Sequence, residues 1–131
     1  MKRVDLARTQ FVKALRSLEE AVKVAKTDLE IDGVLQRFEF TFELSWKFLK
    51  YYFEEQGILV KTPRECFKEA FRSGLVTLED TILHLIDDRN LTVHLYDKKI
   101  SREVFKRVKR KYCSLFRLLL NQTIPNAKLT S

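Results

Sequence analysis

Helix-breaking residues are scarce in this chain: its 131 residues include three glycines and two prolines, and both prolines lie outside the long apolar segments. A chain so poor in turn formers is expected to fold as long helices joined by few turns. Cysteine is equally scarce, with Cys66 and Cys113 the two present and no CxxC spacing between them. That excludes a disulfide framework and a paired-thiol zinc site, and leaves both as small core residues. No apolar run approaches the roughly 18 residues of a membrane-spanning helix. The segment Met1-Lys2-Arg3-Val4-Asp5 lacks the apolar stretch of a secretory leader. A cytoplasmic protein without membrane attachment is therefore expected. Also missing are a Gly-rich phosphate loop, a GxSxG elbow and an HExxH helix. With two histidines, His84 and His94, the catalytic inventory is short, and neither a metal nor a cofactor is expected.

What is present is the composition of an ordinary globular domain, 45% hydrophobic and 33% charged, over a length that accommodates one core. A single domain over residues 1–122 is expected, followed by a flexible tail, 123–131, that contains Pro125. The charge is uneven. Net charge is +7, yet residues 98–117 alone hold nine basic side chains against a single acid, Glu103. A basic stripe on one helix is the footprint of a polyanion partner; the plain alternative is a solvated face that serves solubility.

Apolar periodicity supplies the elements. Val4, Phe11, Leu15, Leu18, Val22, Ala25 and Leu29 step by threes and fours, with Arg8 in the one gap, along one face of a helix that Asp28 and Asp32-Gly33 would end. A second helix is expected from Val34 to Gln56, stopped by Gly57. It carries two apolar stripes, Leu35-Phe38-Phe42-Ser45-Leu49-Tyr52 and Phe40-Leu44-Phe48-Tyr51, with Trp46 between them. A helix apolar on two faces belongs at the centre of a bundle or at an interface, and here both are expected. Thr62-Pro63-Arg64-Glu65 is a strong start signal for a short third helix carrying Cys66, Phe67, Ala70 and Phe71, ended by Ser73-Gly74. Thr77 would cap a fourth helix whose inward stripe is Leu78, Ile82, Leu85 and then, oddly, Arg89. Ser101 would cap a last helix with Val104, Val108, Tyr112, Leu115 and Leu119 inward and its basic residues outward. The fold class is all-α: an antiparallel bundle of four to five helices.

One segment has the inventory for chemistry. His84 and Asp88 share a helix face, but two ligands make a poor metal site. Residues 87–97 are richer: Asp87, Asp88, Arg89, Asn90, His94, Tyr96 and Asp97 gather where the fourth helix ends. Imidazole is suited to moving protons near neutral pH, and a guanidinium grips phosphate through a fork of donors. Together they suffice to cleave RNA without a metal, one group activating the 2′-hydroxyl or protonating the leaving oxygen, the other stabilising phosphoryl charge. A straight helix would hold Arg89 and His94 about 140° apart. Convergence requires the helix to end before His94, or a second protomer to supply its own pair. The alternative is purely structural: Arg89 paired to a nearby acid and His94 capping free carbonyls.

Arg89-x4-His94-x-Tyr96 resembles the RxxxxHxY signature of HEPN domains encoded beside minimal nucleotidyltransferases, also described as nucleotidyltransferase substrate-binding proteins. The segments Arg37-Phe38-Glu39-Phe40-Thr41-Phe42-Glu43-Leu44-Ser45-Trp46-Lys47 and Thr62-Pro63-Arg64-Glu65-Cys66-Phe67-Lys68-Glu69-Ala70-Phe71 are similar to the second and third helices of that family. The resemblance implies a dimerising helical bundle with the motif segments facing a shared cleft. It implies a metal-independent endoribonuclease, the toxin of a toxin–antitoxin pair. Arg89 would hold phosphate, His94 would act as acid or base and Asn90 would support them. Tyr96 would receive AMP from the cognate nucleotidyltransferase, silencing the toxin. Lys106, Arg107, Lys109, Arg110 and Lys111 are candidates for contact with RNA or the partner. Two rivals stand beside this reading: a non-catalytic subunit presenting RNA or a nucleotide to its nucleotidyltransferase, and a helical partner that serves assembly alone.

Overall fold

A computed structural model describes residues 2–77 and 79–124. Among the described residues all regular structure is helical: α1 (Arg3–Val24), α2 (Asp28–Glu54), α3 (Pro63–Arg72), α4 (Glu79–Leu91), a 3-10 turn (Thr92–His94), α5 (Lys98–Arg107), a π turn (Val108–Tyr112) and α6 (Cys113–Gln122). The last three run on as one rod over 98–122, so the expected all-α bundle of four to five helices is what forms. No helix among the described residues is long and apolar enough to cross a membrane.

The boundary between the first two helices differs from the expected one. Periodicity carries through Ala25 to Leu29, but the backbone turns extended at Ala25 and α2 begins at Asp28. The cause is a capping box. Thr27 Oγ1 accepts the Glu30 N–H at 3.2 Å, and Glu30 Oε1 accepts the N–H groups of Thr27 at 2.9 Å and Lys26 at 3.0 Å. The bonds from Thr27 and then Lys26 hold the Glu30 carboxyl below its ordinary range. Leu29, expected on the buried face of α1, is 82% exposed on α2. Gly33 is no stop; it sits inside α2, where Arg37 Nη1 folds back to donate to its carbonyl at 3.0 Å.

A second correction concerns the rod. Ser101 does not cap it; Asp97 does, accepting the N–H groups of Lys99 at 3.0 Å and Ile100 at 3.2 Å. Ser101 lies buried one turn later and donates to Leu95 O at 3.1 Å. The start at Thr62-Pro63 forms as expected, with Thr62 Oγ1 accepting from Glu65 N at 3.1 Å, although the Glu65 carboxylate takes the Lys61 N–H at 2.9 Å. Gly57 and Gly74 end α2 and α3 with φ of 77° and 84°, left-handed conformations that favour glycine. Leu78 lies outside the described residues.

α1 and α2 pack along each other as an antiparallel hairpin, and the rod closes the bundle, running antiparallel to α1. Its path is fixed by Arg117 to Glu19 at 2.5 Å and by Arg8, which donates to Leu120 O at 3.4 Å and to Thr123 O. Arg8 fills its gap by capping the carbonyls that end α6 while lying over the Phe48 ring, 4.6 Å from the centroid. Thr123, where the sequence suggests a tail begins, is buried and bonds Leu119 O at 2.7 Å; residues 125–131 lie outside the described residues. The core is phenylalanine-rich. Phe38 stacks on Tyr112 at 5.5 Å between centroids, Phe42 meets Phe67 at 5.4 Å, and Phe11 meets Phe116 edge-on at 6.0 Å. The first stripe of α2 is buried apart from half-buried Tyr52; of the second, Phe48 is buried and Phe40 remains 55% exposed.

Candidate functional site

The motif segment is built where α4 gives out. α4 ends at Leu91, ahead of His94, and the chain tightens into the 3-10 turn Thr92–His94. Thr92, buried, donates its hydroxyl to Arg89 O at 2.6 Å and so closes the last turn on itself. The turn presents His94 half-buried and Tyr96 78% exposed, with His94 Nδ1 and the Tyr96 hydroxyl 3.0 Å apart and their rings edge to face. With Nδ1 engaged by the phenol, Nε2 is the nitrogen left for proton transfer.

Arg89 and His94 turn to different partners. The Arg89 guanidinium lies 5.4 Å from the Phe42 ring centroid. Its Nη2 pairs with Glu43 Oε1 and its Nη1 donates to Asn90 Oδ1 at 3.4 Å. Its Nε is buried without a hydrogen-bond partner. Glu43 is itself held, its Oε2 accepting the Trp46 indole N–H at 3.0 Å. The apolar stripe of α4 thus runs into an arginine because that arginine leans on an aromatic of α2 and meets an acid beside it. Glu43 and Trp46 are neighbours of the candidate site that sequence reasoning missed. The available signals were an acid between the two apolar stripes and a tryptophan three residues on. A shallow groove of about 560 Å³ along α1 and α2, lined by Gln10, Lys13, Ala14, Phe40, Glu43 and Leu44, borders the same carboxylate.

Asp88, adjacent in sequence, faces the other way. It is 4% exposed and receives Arg107 Nε at 2.6 Å, Arg107 Nη2 at 2.9 Å and the Tyr112 hydroxyl at 2.5 Å. Burial, and then the bond to Asp88, pushes the Tyr112 hydroxyl far above its usual value, and the same carboxylate pushes Arg107 up. The expected outward placement of Arg107 is therefore corrected: it is half-buried in a structural clamp between α4 and the rod. His84 is exposed, and Asp88, its companion on the helix face, is spent on this clamp.

The remaining basic side chains divide in two. Lys98 pairs with Asp32 at 3.0 Å and Arg102 with Asp28 at 2.5 Å, fastening the start of the rod to α2. Among the described residues, Lys99, Lys106, Lys109, Arg110 and Lys111 are exposed and form no ion pair. The last three sit in the π turn, which closes with the Cys113 N–H on Val108 O; such turns are frequent at functional sites. Arg110 and Lys111 border a cleft of about 400 Å³ with Thr77, Thr81 and Ser114 over an apolar floor of Val76, Leu115 and Leu118. Burial pushes the Cys66 thiol up to about 12 and the Cys113 thiol up to about 11, so both stay protonated at neutral pH, as befits packing residues. Among the described residues no three His, Cys, Asp or Glu side chains gather as metal donors.

Residues 6–124 match the family model described as nucleotidyltransferase substrate binding protein like. A Haemophilus influenzae protein named Probable ribonuclease HepT is 30% identical over 86 residues, which is 62% of this chain and 59% of that protein. The match thus spans less than two thirds of the curated relative. A crystal structure of a Thermus thermophilus protein superposes with a TM-score of 0.80 at 34% identity, covering 86% of this chain and 98% of that one. A Haemophilus influenzae structure, described as the fold of a substrate binding domain of a nucleotidyltransferase, superposes with a TM-score of 0.66 over 92% of this chain and 96% of its own. At 24% identity that likeness speaks to fold alone.

Proposed function

The chain belongs to the nucleotidyltransferase substrate-binding-protein-like family, and on that premise we propose that it is a metal-independent endoribonuclease, the toxin of a pair whose antitoxin is a cognate nucleotidyltransferase. The observation that carries the reading is the pairing of His94 and Tyr96, 3.0 Å apart on an exposed turn directly after Arg89 and its helix end. His94 moves the proton, from the 2′-hydroxyl or to the 5′-oxygen, while Arg89 balances charge on the phosphoryl oxygens. Asn90, in contact with the guanidinium, supports its orientation. That Arg89 and His94 engage different partners within one chain favours a composite cleft, in which a homodimer brings the Arg89 of one protomer toward the His94 of the other.

Silencing follows from the same geometry. AMP transferred from ATP to the exposed Tyr96 hydroxyl, with pyrophosphate leaving, would replace the phenol proton with a phosphodiester beside His94 Nδ1. That occupies the imidazole's neighbourhood and sets an anion where the RNA backbone must enter. Supporting the reading is the name of the curated Haemophilus influenzae relative. The five cations of the rod without an ion pair, Lys99 among them, supply a salt-sensitive track for an RNA backbone.

The test is RNA cleavage by purified, partner-free protein in excess chelator, with intact mass confirming that Tyr96 carries no AMP. Cleavage that persists with chelator and vanishes in His94→Ala, with an unchanged melting temperature, is the expected outcome. Undiminished cleavage by that variant would sink the assignment. A second reading, a non-catalytic subunit that presents RNA or nucleotide to the nucleotidyltransferase, is favoured by the Arg89–Glu43 pair, which already engages the guanidinium. RNA binding that is salt-dependent, insensitive to His94 and unaccompanied by cleavage would establish it.

A further inference from the structure

Arg89 is the residue assigned above to the phosphate, yet its guanidinium is anchored from behind. Glu43 meets Nη2 through one oxygen, and Trp46 holds the other oxygen at 3.0 Å, so the carboxylate cannot swing round to grip the guanidinium through both. Phe42 lies against the guanidinium carbon at 5.4 Å and Asn90 touches Nη1 at 3.4 Å, longer than a strong hydrogen bond. Nε stays without an acceptor. A guanidinium offers five N–H donors. Nε is buried out of a ligand's reach, but Nη1 and Nη2 each carry a second N–H beyond the one given to Asn90 or Glu43, and those two are the donors left for a phosphate.

We propose that Glu43, pinned by Trp46, is a positioning residue for Arg89: it aims the guanidinium and shares its charge, so that an RNA phosphate meets a pre-oriented but partly neutralised fork. This rests on the reading of Arg89 as the phosphate-binding residue. The consequence is an opposition between binding and turnover. Removing the Glu43 charge leaves Arg89 more attractive to phosphate and less well aimed. A side chain that merely supported the fold would weaken both together.

The experiment uses unmodified full-length protein and two probes, a short single-stranded RNA and its 2′-O-methyl analogue, which lacks the attacking hydroxyl. Glu43→Gln should bind the analogue about threefold tighter at low salt, the scale of a partly exposed ion pair. Its kcat on the cleavable RNA should fall about tenfold, the scale of lost orientation. Trp46→Phe keeps the charge but frees the carboxylate, so its Kd should match wild type while kcat falls about threefold. Binding by Glu43→Gln that is unchanged or weaker, or a kcat undiminished in both variants, overturns the proposal. If wild type binds the analogue but cleaves nothing, the ribonuclease reading fails and the Kd of Glu43→Gln alone judges the role of Glu43. If wild type binds neither probe, both fail.

Discussion

Asp88 and Arg89 are neighbours in sequence, and each joins a carboxylate–guanidinium pair, but the two pairs do different work. Asp88 points into the bundle, where Arg107 and Tyr112 give it three hydrogen bonds and burial leaves it 4% exposed. Arg89 points out, pairs with Glu43 through one nitrogen, and is about one-third exposed, as is Glu43. The inner carboxylate is saturated and buried; the outer one is a third exposed and holds its arginine through a single oxygen. A carboxylate with three internal donors grips Arg107 through two nitrogens and serves to lock α4 against the rod. A singly bonded, partly exposed pair contributes little to stability and leaves both terminal nitrogens of Arg89 with an N–H to offer. The comparison teaches that what separates a structural lock from a candidate phosphate-binding pair is how fully the carboxylate is committed and buried, not pairing as such.

The contrast can be broken by mutation. The largest expected effect is from Asp88→Ala, which leaves Arg107 and the Tyr112 hydroxyl without their acceptor. The cost should be about 3 kcal/mol, at the low end for a buried pair because Arg107 is one-third exposed. Thermal denaturation should show it as a fall of roughly 12 °C for a domain of this size. A shift of only a degree or two would mean that the inner clamp is no more structural than the outer pair. Arg89→Ala should cost about 1 kcal/mol or less in the same assay, while abolishing RNA cleavage. A large loss of stability there would erase the distinction from the other side.

The smallest effect sharpens the comparison with a third carboxylate, one held by two backbone N–H groups and a hydroxyl rather than by a cation. Glu30 is held below its ordinary range by N–H groups of Thr27 and Lys26. Its folded-state value is depressed, so its contribution to stability is complete above the unfolded value and fades as pH falls through the folded one. Glu30→Gln should therefore lower stability slightly at neutral pH and not at strongly acidic pH, the variant curve converging on wild type on the acid side. Melting curves across that range would show it, and a gap that persists in acid would exclude the capping role.

Much of the architecture was legible because it is written locally. Thr62-Pro63 begins α3 and Gly74 ends it, since a hydroxyl acceptor, a fixed φ and a left-handed residue act within one turn. The inward positions of the rod, Val104 to Leu119, read correctly from periodicity. The first helix boundary did not, because Ala25 and Leu29 continue the apolar step while the Thr27–Glu30 capping box interrupts it. The candidate site was half legible. Arg89, Asn90, His94 and Tyr96 lie within one segment, and the end of α4 before His94 was one of the two arrangements their spacing left open for convergence, a second protomer being the other. Glu43 and Trp46 were illegible as partners, because they lie 46 and 43 residues away from Arg89. Arg107, one cation among nine in its stretch, gave no sign that it alone would find a buried carboxylate.

By itself the sequence determined the helical class, the apolar faces and the position of the candidate segment, because each depends on periods and caps of a few residues. Only the tertiary structure decided which charges are spent and which are free. That choice depends on what packs opposite each side chain, and residues far apart in the chain become opposite only when the bundle closes.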